Sequence, residues 1–270
     1  MNTSLSYGFL GAGQMGEAIF AGLLKKSLAH PSDIHITDAN PDRAKAMQEK
    51  YGATVEPGAN AVLAKSQLVV LATKPQDLDN LLKSLNPQLA KDKLFVSIAA
   101  GKSLAKLEAL LPEKTRVIRV MPNLAMRVGE GMSCFTLGKY ATQENRQAVI
   151  DLLECSGKAR ELPENLFDAM TALSGSGPAF LAVILQAFVN GATAQGMPSD
   201  DALALAKQTM VGTAKVLSEG DASLSDFIKQ VTSKGGTTEA GRNVLENSDL
   251  ATIITKTLRA AADRSRELGQ

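Results

Sequence analysis

"GFLGAGQMGEAI", residues Gly8 to Ile19, sets Gly11, Gly13 and Gly16 in a G-x-G-x-x-G array between a short apolar run and a segment of helical spacing. Each glycine has its own physical job in such an array. The first allows a tight turn, the second lets a pyrophosphate approach the backbone, and the third lets helix and strand pack closely. The helix start adds free N–H groups and partial positive charge. Alone the array is a weak signal. With a strand before it, a helix after it and a second strand ending at Asp38, it reads as a dinucleotide cradle formed by Gly11, Ala12, Gly13, Gln14, Met15 and Gly16.

The segments around it keep the same rhythm. "DIHITD", "QLVVLATKP", "KLFVSIAAG" and "RVIRVMPN" read as strands, each followed or preceded by a helical pattern such as "PDRAKAMQEKYG" or "SLAKLEALL". Near-continuous apolar strands alternating with helices predict an α/β fold, a doubly wound parallel sheet covered on both faces. Strands after about Gly129 are candidates to run antiparallel. From Glu164 onward only helical patterns appear. The boundary is placed at residues 162/163, with a dinucleotide-binding domain over 1–162 and a helical domain over 163–270.

Composition narrows the partners. A net charge of +1 on 270 residues offers no basic surplus for nucleic acid. The longest apolar run, residues 178–189, is too short to span a bilayer and reads as a buried helix. The N-terminus shows no basic region followed by a long apolar run, so no signal peptide is expected and the cytoplasm is the expected compartment. Cys134 and Cys155 form no CxxC, and His30 and His35 are distant in sequence, so no metal site is expected. The thiols read as a buried, inert pair.

Strand ends carry the rest of the cofactor reading, because ligands of open α/β sheets lie beyond the strand C-termini. Ala72, Thr73, Lys74 and Pro75 follow one strand, and Ala99, Ala100 and Gly101 follow the next. Asp38, 22 residues beyond Gly16, suits the ribose hydroxyls of NAD and repels a 2′-phosphate. Asn40 and Arg43 just beyond it favour NADP. The two readings stand side by side. Both histidines read as lying between the first helix and the second strand, away from any nicotinamide, which suits a hydride acceptor that already carries its proton, such as an iminium carbon. A second glycine cluster, "VTSKGGTTEAG" from Val231 to Gly241, precedes a helix and reads either as a threonine N-cap or as an anion pocket.

"ALSGSGPAF" (Ala172 to Phe180) and "VTSKGGTTEAGRNVLE" (Val231 to Glu246) resemble the two signatures of pyrroline-5-carboxylate reductase. The glycine array, "ATKPQ", "SIAAG" and "RVMPN" match the same family in the same order. The resemblance implies a Rossmann domain followed by a helical domain whose copies interlock into a homodimer, with larger rings of dimers in some members. It implies reduction of 1-pyrroline-5-carboxylate, a small-molecule substrate, to L-proline with NADP(H), or alternatively NAD(H). It implies that Ser233, Gly235, Gly236, Thr237 and Thr238 take the substrate carboxylate. Thr238 is the candidate catalytic residue, through a hydrogen bond to the ring nitrogen, and Ser176 lies in the other signature. Leu124 and Ala125 stand where the family has Thr-Pro, and Phe180 where it often has tyrosine. A β-hydroxyacid dehydrogenase is the nearest alternative, but no lysine occurs between Lys158 and Lys207 to serve it. A noncatalytic dinucleotide-sensing dimer would not need the 233–238 cluster.

Overall fold

The computed structural model describes residues 5–269. Its first part runs β1 (Tyr7–Leu10), α1 (Gln14–Lys25), β2 (Ile34–Thr37), α2 (Pro41–Tyr51), β3 (Thr54–Val55), α3 (Ala59–Lys65), β4 (Leu68–Leu71) and α4 (Pro75–Ser84). It continues through α5 (Pro87–Ala90), β5 (Leu94–Ser97), α6 (Leu104–Leu110), β6 (Arg116–Met121), β7 (Gly131–Leu137), α7 (Gln143–Glu154) and β8 (Gly157–Glu161). The strands form one sheet in the order β3-β2-β1-β4-β5-β6-β7-β8. β1 to β6 pair in parallel, β7 lies antiparallel to β6, and β8 is parallel to β7. Because β1 sits between β2 and β4, the winding reverses there and opens a crevice beyond the strand C-termini.

Every residue of β1, β4 and β5 is buried. Successive side chains alternate between two apolar layers. Phe9, Val70, Val96 and Ile118 join the layer that packs Ile19 and Phe20 of α1. Leu10, Val69, Leu71, Phe95 and Val117 join the opposite layer. Phe20 fixes α1 by edge-on contacts to Phe9 at 5.4 Å and to Tyr51 at 5.1 Å. Such pairs contribute roughly 0.5–1.5 kcal/mol each beyond burial, enough to set the helix's rotation. Glu17 then ties α1 to α2, accepting from Lys50 Nζ and Tyr51 Oη, both at 2.9 Å. Desolvation pushes the Glu17 carboxyl up, but these two hydrogen bonds outweigh it and hold it below the usual range.

Three elements and one placement depart from the sequence reading. β3, α3 and β8 are additional. β3 has two residues, and β8 (GKARE) is an edge strand exposed along most of its length, so neither carries an apolar pattern. His35 lies within β2 rather than before it. Its Nδ1 meets the buried Glu56 carboxylate at 3.0 Å, which also accepts from Lys65 at 2.9 Å. Both cysteines are free and buried, and burial pushes their thiols up.

Past β8 the chain is helical: a 3-10 turn (Glu164–Leu166), α8 (Phe167–Met170), a π turn (Thr171–Gly175), α9 (Gly177–Thr193), α10 (Ser199–Glu219), α11 (Leu224–Gln230), α12 (Thr237–Glu246) and α13 (Leu250–Gly269). By packing, the chain forms two compact units, 1–176 with 261–270, and 177–260. The helical turns before Ser176 stay with the sheet for identifiable reasons. Glu164 Oε1 accepts from the Leu104 N–H at 2.8 Å and from Arg119 at 2.8 Å. Phe167 and Met170 are buried with Cys134. The last turn of α13 joins them, Ser265 Oγ donating to Asp168 at 2.7 Å. Packing therefore divides the chain after Ser176, while element type changes at about residue 162.

In the second unit α9 packs on α10, with Val189 and Ala202 buried. Val183 is 70% exposed and Phe188 61%, and Leu205, Val216 and Val244 are also exposed. Joined to the turns before it, α9 makes a continuous helical stretch, Glu164–Thr193, which is long and apolar enough to cross a membrane by length and composition. The run 178–189 judged alone did not show this, and α9 is largely exposed where a buried helix was expected.

Gly157 adopts φ +148°, and a Cβ there would lie 2.0 Å from the Gly131 carbonyl oxygen. Gly157→Ala is expected to lower the unfolding free energy by about 3 kcal/mol through overpacking and backbone strain. Urea denaturation reads this directly, and a variant within about 0.5 kcal/mol of wild type would show a β7–β8 edge that yields freely.

Candidate active site: the β1–β4 crevice and the loop before α12

The glycine array takes the geometry its spacing implies. Gly11 has φ +112°, and a Cβ would lie 2.6 Å from the Ala72 carbonyl oxygen. A Cβ on Gly16 would lie 3.0 Å from the Gly11 carbonyl oxygen and 3.2 Å from the Ala72 Cβ. Gly13 faces open space, with nothing within 4 Å of a Cβ. It is the N-cap of α1 and supplies no side-chain cap, so the first N–H bonded inside the helix is that of Glu17, to Gly13 O at 2.9 Å. The N–H groups of Gln14, Met15 and Gly16 are thus left for a ligand or for water.

Across the crevice, Asp38 Oδ2 accepts from the Ala12 N–H at 2.7 Å and Oδ1 accepts from the Asn40 N–H at 2.8 Å. The carboxylate that the spacing offers to a ribose also braces the glycine loop and the β2–α2 turn. Asn40 caps α2, its side chain accepting from the Asp42 N–H at 3.0 Å. Arg43 is exposed in the first turn of α2, and its guanidinium has no ion-pair or hydrogen-bond partner among the described residues.

Beyond β4, the Ala72 N–H donates to Leu10 O at 2.9 Å and Lys74, exposed, is the N-cap of α4 with Pro75 in its first turn. The Thr73 hydroxyl oxygen is buried without a hydrogen-bond partner among the described residues. An unpaired buried hydroxyl costs about 1–3 kcal/mol, so this atom is one a polar ligand would complete. Beyond β5, Ala99 is buried and Ala100 exposed. Gly101, at φ +73°, lies under the end of α13, where a Cβ would come 3.1 Å from the Leu268 carbonyl oxygen. The open Gly13, the uncapped α1 and the orphan Thr73 hydroxyl fit a dinucleotide diphosphate.

Two residues outside the sequence-derived set connect its motifs. Asn123, the last residue of "RVMPN", accepts from the Met132 N–H and donates through Nδ2 to Ser174 Oγ, both at 3.2 Å. It joins β6 to the π turn that ends in "SGSG". Ser176 lies just beyond that turn, half-buried, its N–H bonded to Thr171 O at 2.8 Å. Both motifs are visible in the sequence, but nothing in it announces their contact. Leu124 and Ala125 open a 3-10 turn over Leu124–Val128.

In the second unit, the loop before α12 resolves the two readings of "SKGGTT". The N-cap is Gly236, with no side-chain cap, and Thr237 and Thr238 are the first two helical residues. Neither threonine caps the helix. The Gly236 N–H is bonded to Ser233 O at 3.0 Å and the Gly235 N–H to Glu239 Oε2 at 2.7 Å. Helical geometry leaves the N–H groups of Thr237, Thr238 and Glu239 without intrahelical acceptors. Ser233, Thr237 and Thr238 are exposed, so donors and hydroxyls face solvent together.

Fold and crevice define a dinucleotide-binding oxidoreductase of Rossmann type with a helical second unit. A family model described as "NADP oxidoreductase coenzyme F420-dependent" matches residues 6–101, and one described as "Pyrroline-5-carboxylate reductase dimerisation" matches 164–268. The chain is 39% identical to the pyrroline-5-carboxylate reductase of Methanosarcina acetivorans, over 97% of each chain. Among solved structures it is similar to a pyrroline-5-carboxylate reductase from Coxiella burnetii, with a TM-score of 0.95, 28% identity and coverage of 99% of this chain and 100% of that one. The Plasmodium falciparum enzyme, solved with NADP bound, shares the fold at a TM-score of 0.85 and 23% identity, over 98% of each chain. This chain belongs to the pyrroline-5-carboxylate reductase family.

Because Asp38 braces the glycine loop, Asp38→Ala is expected to raise the KM for both NADPH and NADH about tenfold, the worth of one charge-assisted hydrogen bond. Steady-state kinetics with each cofactor checks it. A rise for NADH with a fall for NADPH would instead assign the carboxylate to the ribose alone.

Proposed function

We propose that this chain is an NAD(P)H-dependent oxidoreductase that reduces the imine carbon, C5, of 1-pyrroline-5-carboxylate to give L-proline, the last step of proline biosynthesis. The observation that carries the reading is the 39% identity, across nearly the full length of both chains, to a protein curated under that activity. The sites supply the chemistry. When bound, the dinucleotide supplies the hydride. Gly11 to Gly16 receive its diphosphate on backbone N–H groups, and the residues after β4 and β5, Ala72 to Pro75 and Ala99 to Gly101, line its path. Unpaired Arg43 favours a 2′-phosphate, which supports NADP(H) as the cofactor with NAD(H) as the alternative.

Residues 163–270 form the substrate-binding and dimerisation domain. Ser233, the Gly235–Thr238 backbone and the Thr238 hydroxyl take the substrate carboxylate. The Thr238 hydroxyl oxygen also accepts from the N–H of the protonated ring nitrogen and orients the imine, and Ser176 is a further substrate-binding residue. No side chain here needs to deliver a proton before hydride transfer, since the protonated imine already carries it. Catalysis rests on orientation and proximity. The exposed faces of α9, α10 and α12 meet a second copy, giving a homodimer and, where a second surface engages, a ring of dimers. The enzyme works in the cytoplasm.

The direct test follows NADPH and NADH oxidation with 1-pyrroline-5-carboxylate, and NAD or NADP reduction with 3-hydroxyisobutyrate. Proline formation and no turnover of the hydroxyacid are expected. Turnover of the hydroxyacid alone would move the chain to the β-hydroxyacid dehydrogenases. Thr238→Ala should cost about tenfold in kcat/KM for the imine while leaving cofactor KM unchanged. Equal losses for both ligands would point to local unfolding. Arg43→Ala should raise the KM for NADPH alone by about tenfold, and an equal effect on NADH would remove Arg43 from the 2′-phosphate.

A further inference from the structure

We infer that Glu239 is an internal carboxylate that competes with the substrate carboxylate for the loop before α12. The inference rests on the reading of that loop as the substrate site. Glu239 is the third residue of α12, and its Oε2 accepts from the Gly235 N–H at 2.7 Å. A glutamate at this position ordinarily closes a capping box. There it accepts from the N-cap N–H while a Ser or Thr at the N-cap bonds back to the helix. Here neither half of that box forms. The N-cap is Gly236, which has no side chain to reciprocate, and its N–H is bonded to Ser233 O. Glu239 reaches one residue further, to Gly235.

Gly235 has φ +72° and open space where a Cβ would be. Its N–H is the one donor of the 233–238 cluster that already holds an anion. The Gly236 N–H is held by Ser233 O, while the hydroxyls of Ser233, Thr237 and Thr238 have no hydrogen-bond partner among the described residues and the Thr237 and Thr238 N–H groups have no intrahelical acceptor. An arriving substrate carboxylate meets an incomplete donor set and a like charge beside it. It binds either by displacing Glu239 or against its field, and both raise KM. The product L-proline carries the same carboxylate, so Glu239 weakens product retention by the same factor. Glu239 is thus a positioning residue that sets affinity for the carboxylate end of substrate and product.

The test measures Glu239→Gln and Glu239→Ala in the full-length enzyme. Thermal unfolding confirms that each is folded. Expected are a fall of about three- to tenfold in KM for 1-pyrroline-5-carboxylate, an equal fall in the inhibition constant of L-proline, and an unchanged KM for NADPH. Glu239→Gln keeps the shape and removes the charge, so it carries the decision. If wild type turns over the imine and Glu239→Gln has the same or a higher KM, Glu239 is only a loop brace and the inference is overturned. If wild type itself gives no turnover of the imine, the functional reading fails and this inference fails with it.

Discussion

The structure depends on how closely the first turn of α1 approaches the carboxyl ends of β1 and β4. Gly11 meets the Ala72 carbonyl at a separation that excludes any side chain, and Gly16 lies against both Gly11 and Ala72. A methyl at Gly11 or Gly16 would force the first turn of α1 away from the strand ends beside the crevice that the β2-β1-β4 order opens. The same closeness aims the N–H groups of Gln14 to Gly16 along that crevice. Asp38 depends on it too, since its carboxylate reaches the Ala12 N–H only while the loop stays tight. Turn, helix start and acid thus form one mechanical unit, in which each member is positioned by the others.

The loop before α12 repeats this device in another setting. Both α1 and α12 start at a glycine N-cap without side-chain capping. The α1 start is half-buried and braced by Asp38, while the α12 start is exposed and ringed by hydroxyls. A helix N-terminus contributes roughly 0.3–2 kcal/mol to an anion, whereas millimolar binding already needs about 4 kcal/mol. Neither helix start is sufficient alone. At α1 the length of the crevice offers the remainder; an anion at α12 would have to draw it from Ser233, Thr237 and Thr238. A long dinucleotide and a small carboxylate suit these two solutions respectively.

Much of this was legible in the sequence because buried parallel strands write their burial as unbroken apolar runs. β1, β4 and β5 were read that way, as was the change to helices after residue 162. β8 was invisible because an exposed edge strand of Gly, Lys, Ala, Arg and Glu has no apolar face, and β3 because two residues carry no period. The packing division at Ser176 was hidden for a different reason. It is set by tertiary contacts of Glu164, Phe167 and Asp168, residues that look alike in a surface helix and in a docked one. Glu239 was hidden because a glutamate in the first helical turn is what any helix start prefers. Only the folded loop brings that carboxylate onto the Gly235 N–H.

Composition alone leaves the stretch Glu164–Thr193 ambiguous, and its contacts narrow the reading. Its first residues are held to the sheet by a hydrogen-bonded ion pair between Glu164 and Arg119, whose guanidinium also stacks on the buried Phe167 ring at 4.6 Å. A segment fixed in this way leaves only α9 to be covered, and α9 is shorter than the roughly 20 residues a bilayer requires. The apolar side chains of α9 are matched by exposed Leu205 and Val216 on α10 and Val244 on α12, on separate helices of one unit. Burying a Val, Leu or Phe contributes roughly 1.5–3 kcal/mol, and association costs on the order of 4–15 kcal/mol. A handful of such residues covered on each copy therefore offsets the cost of pairing. The family model for residues 164–268 is described by dimerisation, and an unpaired copy would leave these side chains in water. The exposed apolar faces of the helical unit fit that description.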